Sequence, residues 1–230
     1  AHRPVPPPDE QPTAMFDAIQ QLPERRYDAI VVDEGQDFKD TWWLAFEACL
    51  EDRDRSVFYV FHDHHQALYR GRTTLPDGLL EFALLENIRN TRSIYRLVSR
   101  QYQGKDPIRS RGPVGRTVEK IAYASPAELK ATLAKVLQRL IVAERVKPRD
   151  IVILTPKALD RSAIPDFQFP GSLALVTDPP AGPQQVLVST VHRFKGLERQ
   201  VAILAELDGD LPIDPEERRK LLSVALSRAR

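Results

Sequence analysis

One cysteine, Cys49, is all that the 230-residue chain contains. No intrachain disulfide can form, and a reducing, cytoplasmic setting is expected. No apolar run approaches the length of a bilayer span and no leader peptide is visible, so no membrane partner is expected. A formal net charge of +1 excludes a global basic field. Any nucleic-acid site must then be a local patch. No internal repeat occurs at the periods of solenoid proteins. What remains is ordinary: 42% hydrophobic and 28% charged residues fit a soluble globular chain with room for one large or two modest cores. The chain opens on Ala1 rather than Met and closes on Arg228-Ala229-Arg230 inside a helical pattern. Both ends read as cuts in a longer protein.

Residues 1–12 are proline-rich and read as a linker or frayed tail. A short helix is expected over Met15–Leu22. Tyr27–Val32 is a continuous apolar run closed by Asp33-Glu34, the pattern of a strand buried on both faces of a parallel sheet. Thr41–Leu50 reads as a helix and Ser56–Phe61 as a second buried strand. The polar stretch Thr73–Gly78 marks a domain boundary. Beyond it, strands are expected over Glu81–Leu85 and Thr117–Tyr123, with a helix over Thr91–Tyr102 between them. Ser125-Pro126-Ala127-Glu128 carries a serine cap, a proline at the first helical position and a glutamate at the third. Leu129, Leu133, Leu137, Leu140 and Ile141 then recur at helical spacing. Asp150–Leu154, Ser172–Val176, Gln185–Thr190 and Gln200–Ala205 read as strands, and Glu216–Ala229 as a closing helix. Strands alternating with helices define an α/β class with a doubly wound parallel sheet.

Such sheets bind ligands at the carboxyl ends of their strands. The polar residues there are Asp33-Glu34, Asp63 to Gln66, Asn87 to Arg89 and Thr190 to His192. Ile30-Val31-Val32 gives way at once to Asp33-Glu34-Gly35-Gln36-Asp37. Adjacent acids at a strand end point to opposite sides and can serve two roles, such as one at a metal ion and one orienting water. A solvated acidic turn is the plain alternative. His62, Asp63, His64 and His65 invite a zinc reading. Adjacent residues cannot easily converge on one ion, however, and no second ligand cluster accompanies them.

Val31–Phe38, VVDEGQDF, resembles the Walker B segment, DE-x-QD, of UvrD/Rep-like superfamily 1 DNA helicases. Four further segments follow in that family's order. Phe61–Arg72 is similar to GD-x-x-Q-x-IY-x-x-R. Leu84–Thr91 is similar to the N-Y-R segment. Val188–Leu204 is similar to T-x-H-x-x-KG-x-E-x-x-x-V, and Ser223–Arg230 to YVA-x-TRA. The spacing of the last two leaves no room for a large inserted subdomain, which resembles the compact branch of the family. The resemblance implies RecA-like, P-loop NTPase type parallel sheets with helices on both faces, the first unit incomplete. Residues 1–75 would be the later half of a first RecA-like domain and residues 80–230 a second. It implies ATP and Mg²⁺ as cofactors, single-stranded DNA as partner, and a missing N-terminal part of the same protein.

The resemblance also implies roles. Asp33 would hold Mg²⁺, and Glu34 would act as general base or orient the attacking water. Gln66 would sense the γ-phosphate, while Gln36 would belong to the nucleotide side. Arg89 and Arg228 would neutralise the transferring phosphoryl group. Glu198 would contact the ribose or order a helix-start backbone around Gly196. Tyr69, Arg72, Thr190 and His192 would contact nucleic acid. Plain alternatives exist for several. Arg89, Arg92, Arg96 and Arg100 share one helical face, and a basic helix end such as that around Arg228 often answers the macrodipole.

The chain departs from the family's pattern at His62 (usually Gly), Gly71 (usually aromatic), Ile88 (usually Tyr) and Ser223 (usually Tyr). It also contains no G-x-x-x-x-G-K-[ST] phosphate loop. The expected function is part of an ATP-dependent translocase acting on single-stranded DNA, as in DNA repair, inactive by itself. Two alternatives stand beside it: a motor part of a nuclease–helicase hybrid, and a non-catalytic helicase-derived scaffold.

Overall fold

The computed structural model describes residues 5–63, 74–102, 108–165, 167, 171, 173–208 and 214–229. The chain divides into two compact units, residues 1–83 and 84–230. Among the described residues, every strand pairing in the sheets of both units is parallel.

In the first unit, α1 (Gln11–Gln21) packs against α2 (Asp40–Ala48). Strands β1 (Ala29–Val32) and β2 (Val57–Val60) pair in parallel, Ala29 opposite Val57 and Val32 opposite Val60. Phe38, Trp42, Trp43 and Phe46 form an aromatic cluster on and before α2, with ring centroids 5.3–6.0 Å apart. Burial on both faces of β1 was expected and is not found. Val31 is 60% exposed and its neighbour Tyr59 61%. Side chains alternate across a strand, so Val31, Val57 and Tyr59 line one open face while Val32 is buried on the other. An apolar run records that a strand can be covered twice, not that both covers are present.

In the second unit, short strands β3 (Glu86–Asn87) and β4 (Arg109–Ser110) pair and flank α3 (Arg92–Val98). The main sheet contains β5 (Ile151–Thr155), β6 (Ala174–Val176), β7 (Gln185–Thr190) and β8 (Val201–Leu204), in the spatial order β6-β7-β5-β8. Helix α4 (Pro126–Gln138) starts as its sequence requires: the Ser125 side chain accepts from the Glu128 N–H, and the Glu128 carboxylate accepts from Ala124 N–H. Its Leu129, Leu133 and Leu137, with Leu140 beyond, pack on Ile151 and Ile153 of β5 and Val186 and Val188 of β7. Val152 and Leu154, on the opposite face of β5, are equally buried. The central strand is therefore covered on both sides, as expected of an α/β sheet. Helix α5 (Pro215–Leu226) packs against β8 and α3.

Three expectations need correction. Glu81–Leu85 forms no strand; Leu80, Phe82 and Leu84 are 80–84% exposed, and pairing begins only at Glu86. Thr117–Tyr123 forms no strand among the described residues. Alternation is a local property, whereas pairing needs a partner edge. The terminal helix ends at Leu226, so Arg228 and Ala229 lie beyond it, where Ala229 bridges to Arg199.

Candidate functional site

The first unit presents its acids where β1 ends. Asp33 is exposed, and its Oδ1 accepts from the Glu34 N–H at 2.9 Å. Glu34 adopts the left-handed conformation, φ 53°, ψ 41°, which few residues other than glycine or asparagine visit. Held strain of this kind clusters where a side chain must be aimed. The chain turns under Glu34 because Gly35 lies against the end of β2. Its N–H donates to Phe61 O at 2.8 Å, and a Cβ there would meet Val60 Cγ1 at 2.5 Å. Gln36 is 6% exposed. Its amide N–H₂ donates to Glu34 Oε2, and its Oε1 accepts from Asp63 N–H at 2.8 Å. The Gln36 side chain thus braces the ends of β1 and β2 and orients the Glu34 carboxylate. Gln66, Tyr69 and Arg72 lie outside the described residues, as do His64 and His65.

A Mg²⁺ ion fits this strand end in one limited sense. The exposed Asp33 carboxylate keeps its Oδ2 without a partner among the described residues. No group of three metal-ligating acids, histidines or cysteines occurs among them. One carboxylate with the remaining sites left to water and phosphate is the usual protein share of a nucleotide-bound Mg²⁺.

In the second unit, three segments far apart in sequence converge. Arg89 lies 3.8 Å from the Glu198 carboxylate, both partly exposed. Arg199 N–H donates to Arg228 O at 3.0 Å. Arg228 is 2% exposed. Its Nε donates to Val224 O at 3.0 Å, its Nη2 to Ser227 Oγ at 2.8 Å, and its Nη1 approaches Leu197 O at 3.5 Å. In this structure the guanidinium is folded back over the end of α5. Gly196 sits in a turn at φ +80° with open space around its Cβ position. The expected helix start there is absent: residues 191–196 form turns, closed by Phe194 N–H to Thr190 O and Leu197 N–H to Phe194 O, each at 3.1 Å. Glu198 accordingly faces Arg89 rather than opening a helix.

Thr190 and His192 lie at the other end of the sheet. Thr190 closes β7 beside Thr155, the last residue of β5. Its Oγ1 accepts from Arg193 N–H at 3.1 Å. Arg199 instead precedes the first residue of β8. The Arg89–Glu198–Arg228 group and the Thr190–His192 turn therefore occupy opposite edges of one sheet, about four residues of strand apart, or roughly 13 Å.

A further cluster at the carboxyl edge was not legible as a site. Glu206, just past β8, is 2% exposed and left-handed at φ 57°. Its carboxylate accepts from Thr155 Oγ1 (2.7 Å), Ser162 Oγ (2.6 Å) and Ala163 N–H (3.0 Å). Lys157 Nζ lies 3.6 Å from Glu206 and 2.7 Å from Asp208, which also accepts from Tyr123 OH. The Lys157 bond, then the Tyr123 bond, holds the Asp208 carboxyl below its ordinary range. The bond to Asp208 raises Lys157. Burial, reinforced by the same aspartate, raises the Tyr123 phenol. The strand-end rule applied to Thr155 and Glu206 would have found this group.

Parallel α/β sheets with polar groups gathered at strand ends form the broad class of ligand-handling α/β proteins. Within it, residues 185–230 match the family model of the UvrD-like helicase C-terminal domain. The matched segment contains β7, the 191–199 turns, β8 and α5, and it bears out the resemblance to UvrD/Rep-like helicases and a helicase-related function. No curated protein matches the chain. No helix among the described residues is long and apolar enough to cross a membrane.

Proposed function

We propose that this chain belongs to an ATP-dependent motor that moves on single-stranded DNA, with residues 1–75 the later half of one RecA-like domain and residues 80–230 a second. The observation that carries the reading is the convergence of Arg89, Glu198 and Arg228 from three separate segments, one partly exposed cation and one buried cation beside a carboxylate. Two guanidiniums supply fixed positive charge for a phosphoryl group in transit. Glu34, aimed by its left-handed backbone and by Gln36, is the acceptor that orients water or takes its proton. Asp33 would hold Mg²⁺, which neutralises charge on the phosphates when bound. The open face of Val31, Val57 and Tyr59 is what a parallel sheet presents to a covering layer of helix. Thr190 and His192 supply hydroxyl, imidazole and turn N–H groups suited to a nucleic-acid backbone.

The burial of Arg228 against Val224 and Ser227 favours a second reading, a helicase-derived scaffold in which this arginine only closes its helix. One assay separates the two. In the full-length protein, ATP turnover is measured against single-strand concentration for Glu34→Gln, Arg228→Ala, Thr190→Ala and His192→Ala. The motor reading expects the first two to cut maximal turnover on the order of 10³-fold with nucleotide binding spared. The last two should shift the DNA concentration needed and leave basal turnover intact. Full turnover with Arg228→Ala would refute the arginine's assignment, whereas no ATP turnover in the unsubstituted full-length protein would support the scaffold.

A further inference from the structure

The turn that carries Arg228 is held by a residue outside all the recognised segments' key positions. Beyond α5 the last carbonyls have no helical donors. Here the Asn90 side chain supplies them: its Nδ2 donates to Ser227 O at 3.1 Å and to Ala229 O at 2.7 Å. Those carbonyls flank Arg228 on either side. The Arg228 carbonyl itself accepts from Arg199 N–H at 3.0 Å. Three consecutive carbonyls are therefore tied down, and two of the ties come from one amide.

The amide has a single workable orientation. Asn90 Oδ1 accepts from Asn87 Nδ2 at 3.2 Å, while Asn90 N–H donates to Asn87 Oδ1 at 3.0 Å. Both amide hydrogens and the amide oxygen are thus used, and a flipped amide would set oxygen against two carbonyls. Asn90 is 0% exposed, so no water replaces a lost donor. Glycine at 112 makes room: a Cβ there would meet Asn90 O at 2.0 Å.

We infer that Asn90 is a positioning residue for Arg228, fixing the backbone pivot from which the guanidinium reaches the nucleotide. The inference rests on the proposed role of Arg228. The held backbone and the re-directable side chain divide the work. Val224 O and Ser227 Oγ hold the guanidinium back, and releasing it leaves the Asn90 bonds in place. Moving the pivot by about 1 Å costs on the order of 10²-fold in rate where alignment matters.

The test is a double-mutant cycle in the full-length protein, with kcat for ATP and equilibrium nucleotide binding measured for Arg228→Ala, Asn90→Ala and the pair. Asn90→Ala should lower kcat by on the order of 10²-fold and leave nucleotide affinity unchanged. In the Arg228→Ala background it should cost nothing further, because the residue acts through Arg228. If Arg228→Ala leaves kcat unchanged, the reading of Arg228 fails and takes this one with it. If Arg228→Ala is severe but Asn90→Ala is not, or if the two losses multiply, Asn90 has no positioning role even though Arg228 acts as proposed. Asn90→Ser, which keeps one donor, covers the case in which the alanine variant does not fold. It should retain part of the rate that alanine loses. Loss of the fold in both variants would make Asn90 a fold determinant and overturn the inference.

Discussion

Replacing Glu206 sets two physical effects of opposite sign against each other. Its backbone at φ 57° costs roughly 1–2 kcal/mol in a residue with a Cβ, which glycine would recover. Its carboxylate accepts three hydrogen bonds in a site 2% exposed. Bonds to a charged group contribute about 1.5–3 kcal/mol each, but they are not additive, and the Thr155 and Ser162 hydroxyls can rotate toward other acceptors. Breaking a buried charged network from one side costs about 3–5 kcal/mol. Glu206→Ala should therefore destabilise the second unit by about 3–5 kcal/mol. Glu206→Gly should lose about 1–2 kcal/mol less, since it removes the strain as well. Urea denaturation monitored by circular dichroism reads both. For a unit of this size each kcal/mol moves Tm by roughly 2–4 °C, so a fall of roughly 10 °C is expected for alanine. A glycine variant as stable as the parent would refute the reasoning, because the network would then be worth no more than the strain it fixes.

Gly35→Ala should destabilise the first unit by roughly 1–3 kcal/mol, because the new Cβ would lie 2.5 Å from Val60 Cγ1; thermal melting that leaves the first unit's transition unmoved would show that Val60 simply steps aside. The second unit should lose stability on both sides of a neutral plateau. Lys157 and Tyr123 are raised, so the folded state keeps protons that the unfolded state sheds, and stability falls as pH rises past about 10. Asp208 is lowered, so its contribution is present above about pH 4 and fades as pH drops through its folded value. Tyr123→Phe should blunt the alkaline loss in pH-dependent unfolding, and an unchanged alkaline limb would remove Tyr123 from the account. Residues 80–230 expressed alone should give a single cooperative unfolding transition, because the leucine face of α4 and both faces of β5 are satisfied within that stretch. A molten or aggregated product would refute this.

Sequence reading succeeded where the deciding physics was local. Ser125, Pro126 and the leucine period placed α4 because a cap and a buried stripe are both written within one helix. Gln185–Thr190 was found with its observed limits, since a buried central strand must be apolar along its length. Failures came where a partner decided the outcome. Residues 81–85 and 117–123 alternate as strands do, yet no edge receives them among the described residues. The acids after β1 and the turn after β7 were legible because polar residues interrupt apolar runs there. Arg89 and Arg228 stood out only through their motif strings, since an arginine near a helix end is usually a solvated charge. Asn90 could not stand out at all. Its acceptors lie 137 and 139 residues away, and nothing in Asn-Thr-Arg announces that distance. Glu206 hid for another reason: a lone glutamate after an apolar strand reads as a surface turn until Thr155 and Ser162 are seen to face it.

The division of the second unit into two edges bears on how a single domain could serve two ligands. Thr190 and Thr155 are register partners at the carboxyl end of β7 and β5, whereas Ile151 and Val201 pair at the amino end, next to Arg199 and Arg228. Groups so placed cannot touch one ligand atom together. The segment that joins them is short: it leaves β7 at Thr190, turns through Phe194, and reaches Arg199 before β8. Phe194 is 0% exposed, and the Arg199 guanidinium lies 5.7 Å from its ring centre. The turn is therefore a packed connector with two buried anchors, Val191 and Phe194, not a slack loop. The Arg199–Arg228 bond ties the far end of this connector to the backbone beside Arg228. Packed interiors rearrange between discrete arrangements more readily than they deform smoothly. On the proposed reading, a connector of this build would let occupancy of one edge alter the alignment of arginine at the other, with the Asn90 bonds to Ser227 O and Ala229 O fixing the far end of that connection.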